Sequence, residues 1–146
     1  MKIRVIWPGK TKEQFVTEGL KKYLKLLRPY AEISLAELKE EKGSDIRKML
    51  NKEGERILKL QVPYTLLDEK GDQMTSGDFA EFIAEHISGI NFVLGGAYGV
   101  SDAVKKTAQK TLSLSKMTFT HEMSRLFFLE QLYRAFTIIH KRGYHH

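Results

Sequence analysis

The sequence predicts an α/β fold with a mostly parallel sheet, and two observations predict it. Short apolar stretches with a period near two alternate along the chain with longer stretches of helical period. No internal repeat, low-complexity tract or linker interrupts that series, so residues 1–146 read as one domain.

Lys2 to Trp7 alternates charged and apolar residues until Pro8-Gly9 ends it, which gives a first strand. A helix follows over Lys12–Leu27, with Phe15, Leu20, Tyr23, Leu24 and Leu27 on one face and Pro29 as its stop. Glu32–Leu38 alternates again. After the charged loop Lys39–Ser44, either Ser44 or Asp45 can cap a helix carrying Ile46, Met49, Leu50, Ile57 and Leu58. Gly54 weakens that helix. Val62–Leu67 reads as a short strand bounded by Pro63 and the Asp68–Gly71 turn. Ser76 or Asp78 then caps a helix with Phe79, Phe82, Ile83 and Ile87, closed by Gly89. Asn91–Leu94 is a buried strand running straight into Gly95-Gly96. Leu112–Leu114 is the last strand.

From Met123 the period becomes helical: Met123, Leu126, Phe127, Leu129, Leu132, Tyr133, Phe136 and Ile139, with no Gly or Pro from Thr120 to Arg142. Thr120 is its predicted N-cap. Phe128, Ala135 and Ile138 make the helix apolar almost all round, so it must be covered on every side. A second subunit can cover it, or the core of a monomer can. Glu130 and Arg134 stand four residues apart and can pair, whereas Arg125 stands alone among apolar neighbours.

Composition narrows the function classes. The chain has 146 residues, a net charge of +6 and no cysteine, which excludes disulfides, thiolate metal sites and cysteine nucleophiles. No apolar run spans a bilayer and the N-terminus lacks a secretory pattern, so a cytoplasmic protein without a membrane partner is expected. Lys21, Lys22, Lys25 and Arg28, then Lys105, Lys106 and Lys110, then His140–Arg142 are basic clusters, and nucleic acid is the expected partner. None of the five histidines stands in a zinc-type spacing, so no metal is expected.

In parallel sheets ligands gather at the C-terminal ends of strands. The ends of Val62–Leu67, Asn91–Leu94 and Leu112–Leu114 are therefore the candidate site. Gly95, Gly96 and Gly99 allow close approach to a ligand, but their spacing is neither a dinucleotide fingerprint nor a Walker A loop.

FVLGGAYGVS, then LSLSKMTFTHEMSR, EQLYRAF and the terminal YHH resemble the ribosomal large subunit methyltransferase H family. The resemblance runs from MKIRVIWPGK through KEGERIL (Lys52–Leu58) to the end of the chain. It implies a SPOUT-type fold with a C-terminal trefoil knot and a homodimer. It also implies S-adenosylmethionine-dependent methylation of N3 of a pseudouridine in 23S rRNA, with the assembled ribosome as the favoured substrate. Carried over, the cofactor-binding residues are Leu67, Gly95, Leu114, Ser115, Lys116, Met117, Thr118 and Phe119. Arg125, Arg134, Tyr144 and His145 are the candidates for handling the RNA base, with His121 a further candidate for the proton. Relatives commonly carry proline where this chain has Thr120, and the tail Arg142-Gly143-Tyr144 lacks the family's proline. A non-catalytic RNA- or ribosome-binding protein on the same fold is the alternative, and a nucleotide-dependent oxidoreductase is a weaker third.

Overall fold

The computed structural model describes residues 1–146. Ten elements follow in order: β1 (Lys2–Pro8), α1 (Gln14–Leu27), β2 (Glu32–Leu38), α2 (Ile46–Leu58), β3 (Thr65–Gln73), α3 (Ser76–Ala84), β4 (Ile90–Leu94), α4 (Asp102–Thr107), β5 (Lys110–Ser113) and α5 (His121–Ile139). The strands form one sheet in the order β2-β1-β4-β3-β5, and every pairing is parallel.

Alternation along the strands sends side chains to two faces. Ile3, Val5 and Trp7 of β1 join Phe92 and Leu94 of β4 beneath α1, α3 and α5. Ile6, Leu66 and Val93 point the other way, against Ile57 of α2 and Val104 of α4. Large side chains such as Trp7, Phe92 and Phe128 are fully buried, each contributing about 1.5–3 kcal/mol relative to exposure.

Three sequence expectations change. The Asp68–Gly71 segment does not end β3. Leu112 of β5 faces Leu67 and then Asp72, so the chain makes an excursion at 68–71 and resumes pairing at Gln73↔Ser113. Gly71 is needed there, because a Cβ would lie 2.7 Å from the β5 backbone at Thr111 and Leu112. The short helix α4 was not anticipated, although Ser101 caps it by accepting from the Val104 N–H at 3.3 Å. The third is α3, which stops at Ala84 and leaves Ile87 exposed beyond it, and whose cap is Thr75: it accepts from the Asp78 N–H at 3.0 Å, and Asp78 accepts from the Thr75 N–H in return.

Asp45 caps α2 and Thr120 caps α5, the latter accepting from the Met123 N–H at 3.2 Å. Thr120 thus supplies a capping oxygen at the position where proline is common among relatives. Gly54 has a packing reason: a Cβ there would collide with the Ser101 hydroxyl, so α2 lies close against the start of α4.

The long helix α5 is covered more fully within one chain than its pattern suggested. It lies on the sheet with α1 on one flank and α3 on the other, and Gly19 of α1 lets Leu126 pack close. Phe128, Leu129, Leu132 and Ala135 are fully buried, while Met123, Leu126 and Tyr133 are partly open and Phe127 is exposed.

Candidate active site

Because β4, β3 and β5 are neighbours in the sheet, their C-terminal ends stand side by side. A cleft of about 410 Å³ opens across them. The 68–70 excursion, the Gly95–Val100 loop and the Leu114–Phe119 loop form its walls, and His121 and Ser124 from the first turn of α5 also line it. Seven of the eight expected cofactor residues line it: Leu67, Gly95, Leu114, Ser115, Met117, Thr118 and Phe119. Lys116 does not, and its side chain is exposed.

Local hydrogen bonds set these walls. Ser113 Oγ donates to the Ser115 carbonyl at 2.8 Å, and Ser115 Oγ accepts from the Met117 N–H at 3.0 Å. The Thr118 hydroxyl donates to Glu69 Oε2 at 2.7 Å, tying the 114–119 loop to the β3 excursion. On the other side, the Gly99 N–H donates to the Gly96 carbonyl at 3.0 Å, and Gly99 has φ +84°. A Cβ on Gly95 would lie 2.8 Å from the Gly99 backbone. Gly95 is therefore required by the loop's own folding. Glu53 of the KEGERIL stretch, accepting from the Glu41 N–H at 2.9 Å, is buried near Gly96. Burial pushes its carboxyl up despite that hydrogen bond.

A second, more apolar slot of about 260 Å³ adjoins the cleft and shares Leu67, Leu114 and Phe119 with it. Phe79, Phe127 and Phe128 supply its aromatic walls, and Ser76 and Gln131 its polar edge. A polar cleft beside an apolar slot, both reached by strand-end backbone, fits S-adenosylmethionine: the slot suits a planar base and the cleft a charged amino-acid end.

His121 lines the cleft, and its pKa is lowered, first by burial and then by the neighbouring Arg125 cation, with Glu122 opposing. The lowered pKa favours the neutral imidazole, the form able to accept a proton.

Arg125 has a different place from the one expected. It is fully buried, its guanidinium donating to the Pro8 carbonyl at 2.8 Å and to Thr11 Oγ1 at 2.9 Å, and lying 4.7 Å from the Trp7 ring. Its Nε has no partner. Next to it the Glu122 carboxylate accepts from the N–H groups of Lys12 and Glu13 at the start of α1. The isolated cation of the sequence is a bracket between β1, the β1–α1 loop and α5, with no atom free to touch RNA.

Arg134, Tyr144 and His145 do come together, at the far end of α5. Arg134 pairs with Glu130 at 3.0 Å, lies over the Tyr144 ring at 4.8 Å, and approaches His145 Nδ1 at 3.1 Å. Tyr144 also packs edge-on against Tyr133 at 4.8 Å, so the tail is folded back onto the helix. Burial raises the Tyr144 pKa, and Tyr23 adds to that. Arg134 is 13 residues beyond His121, roughly 20 Å along the helix axis. Within one chain the tail cluster and the cleft are therefore separate. Sequence reasoning overlooked Lys105 and Tyr98, which line the cleft; the signal for Tyr98 was an aromatic residue between two glycine turns.

Among the described elements no group of acidic or histidine side chains is arranged to hold a metal ion, and no helix is long and apolar enough to cross a membrane.

Comparison with known proteins gives the family. The family model described as predicted SPOUT methyltransferase matches residues 1–145. The ribosomal RNA large subunit methyltransferase H of Geotalea uraniireducens (strain Rf4) is 49% identical over 153 residues, covering 100% of both chains. That of Thermodesulfovibrio yellowstonii is also 49% identical, over 146 residues and 99% of both chains. A probable methylase family protein of Haemophilus influenzae Rd KW20 shares the fold with TM-score 0.60 at 12% identity, over 99% of this chain and 70% of that one. With a family match over residues 1–145 and relatives 49% identical over the full chain, the chain belongs to the SPOUT methyltransferases, enzymes that use S-adenosyl-L-methionine.

Proposed function

We propose that this methyltransferase acts on 23S rRNA, methylating N3 of a pseudouridine in the assembled ribosome, as a cytoplasmic homodimer. The observation that carries the reading is the convergence of seven expected cofactor residues on one cleft, in a chain whose relatives at 42–49% identity are named for large-subunit rRNA methylation.

The cofactor supplies an electrophilic methyl group on a sulfonium; the protein supplies alignment and proton handling. Leu67, Gly95 and the Leu114–Phe119 loop would hold the cofactor, and the Thr118–Glu69 hydrogen bond fixes that loop against the β3 excursion. An imide N3 must lose its proton to become nucleophilic, and neutral His121 is the group at the cleft suited to accept it. Arg125, buried behind His121, favours that neutral form.

Arg134, Tyr144 and His145 reach a cleft only if a second copy brings them. Two α5 helices packed antiparallel would set one chain's tail at the other's cleft. The partly open Met123 and Leu126, with the exposed Phe15, offer apolar area for such contact. The knot is part of the same reading and rests on membership of the SPOUT family.

The test is methyl transfer from labelled S-adenosylmethionine to ribosomes lacking the modification, with the modified nucleoside identified by mass spectrometry. A chain that binds the cofactor tightly yet labels neither ribosomes nor 23S rRNA would be the non-catalytic module instead.

A further inference from the structure

Of the six tyrosines, five are packed. Tyr23, Tyr30, Tyr133 and Tyr144 cluster between α1 and α5, and Tyr64 is buried with its hydroxyl on the Val104 carbonyl. Tyr98 is 61% exposed. It sits at the apex of the Gly96–Gly99 turn, whose ends are bridged and whose base is fixed by the close packing of Gly95 on Gly99. A large apolar ring held out into water by a tight turn gains nothing for the fold. Across the same cleft Met117 is 75% exposed, its backbone N–H anchored on Ser115 Oγ. Lys105, one turn into α4, lines the cleft as well.

We propose that Tyr98 is a stacking platform for the RNA base presented to the cleft, with Met117 as the opposite wall and Lys105 meeting the flanking phosphate. This rests on the reading of the chain as an rRNA methyltransferase and deepens it. A base drawn out of an RNA stack needs a flat apolar face to replace its neighbours, and an aromatic ring supplies one whatever the base. The anionic backbone beside it needs a cation, which Lys105 provides. Tyr98 stands at the outer lip, whereas most of the expected cofactor residues run along the strand ends, so its ring is placed for RNA rather than for the cofactor.

The test compares the wild type with Tyr98→Ala and Tyr98→Phe on three readouts: S-adenosylmethionine affinity by calorimetry, ribosome binding, and kcat/KM for methyl transfer. Stacking predicts that Tyr98→Ala keeps the cofactor affinity and the oligomeric state, and loses roughly tenfold to hundredfold in kcat/KM. Tyr98→Phe should restore most of that loss, because the face and not the hydroxyl is used. Weakened cofactor binding in Tyr98→Ala would make the ring a cofactor cover and overturn the proposal. Dissociation of the dimer would make it an interface residue, with the same consequence. Should the wild type transfer no methyl group to ribosomes, the functional reading falls, and ribosome binding alone judges Tyr98: equal affinity of wild type and Tyr98→Ala rejects the stacking.

Discussion

Replacing Arg125 with methionine separates a structural cation from an RNA-handling one. The substitution keeps the length and apolar stem but removes two charge-assisted hydrogen bonds, to Pro8 and Thr11, and the contact with Trp7. Such bonds are worth about 1.5–3 kcal/mol each, and the ring contact about 0.5–2 kcal/mol. Methionine recovers part of this through apolar packing and by removing the partnerless Nε. The Pro8 carbonyl loses its Arg125 donor, and Glu122 loses its neighbouring cation. A net loss of about 3 kcal/mol follows, within the range for breaking a buried charge network from one side. At about 2–4 °C per kcal/mol for a chain of this size, Tm should fall by roughly 6–12 °C. The measurement is denaturant and thermal unfolding of both proteins at one fixed concentration, since any self-association would shift apparent stability. A variant as stable as the wild type that binds cofactor but no longer methylates ribosomes would refute the reasoning and return Arg125 to the RNA.

Gly95→Val should abolish S-adenosylmethionine binding, because a side chain there meets the Gly99 backbone and displaces the loop; unchanged calorimetry in a folded variant would remove Gly95 from the site. Burial raises the Glu122 carboxyl, but the N–H groups of Glu13 and Lys12, with Arg125, outweigh it and hold the pKa below the ordinary value. Its stabilisation is thus present above the unfolded carboxylate range and lost as pH falls through the lowered folded pKa, so Glu122→Gln should be less stable at neutral pH and lose less stability on acidification. Methyl transfer should fall on acidification as His121 protonates, at a pH below the usual histidine range because its pKa is lowered; His121→Ala should lower kcat while leaving cofactor affinity nearly unchanged. Deleting Gly143–His146 should sharply reduce transfer to ribosomes, with a small stability loss because Tyr144 packs on Tyr133; full activity would dismiss the tail from the reaction.

Much of this protein is decided by local pattern. The two alternating periods place nine of the ten elements, because which face of a strand or helix is apolar is a property of neighbouring residues. The caps Asp45 and Thr120 are equally local, since an N-cap oxygen bonds an N–H only three residues away. Helix α4 escaped because six residues are too few to show a period, and the Asp68–Gly71 turn misled because pairing can resume after a bulge. The strand-end rule points to the C-terminal ends of β3, β4 and β5, where the cleft lies. Only the tertiary structure could decide whether Arg125 faces RNA or core, since its partners Pro8 and Thr11 lie more than a hundred residues away in sequence. The same holds for Tyr98, whose exposure depends on a turn closed by Gly95 against Gly99, and for the tail, which chain order puts just beyond α5 but which folds back onto Tyr133 and Arg134 of that helix. Period and capping are read within one turn of chain; the partners of a buried charge and the neighbours of a cleft are set by which strands the sheet brings side by side.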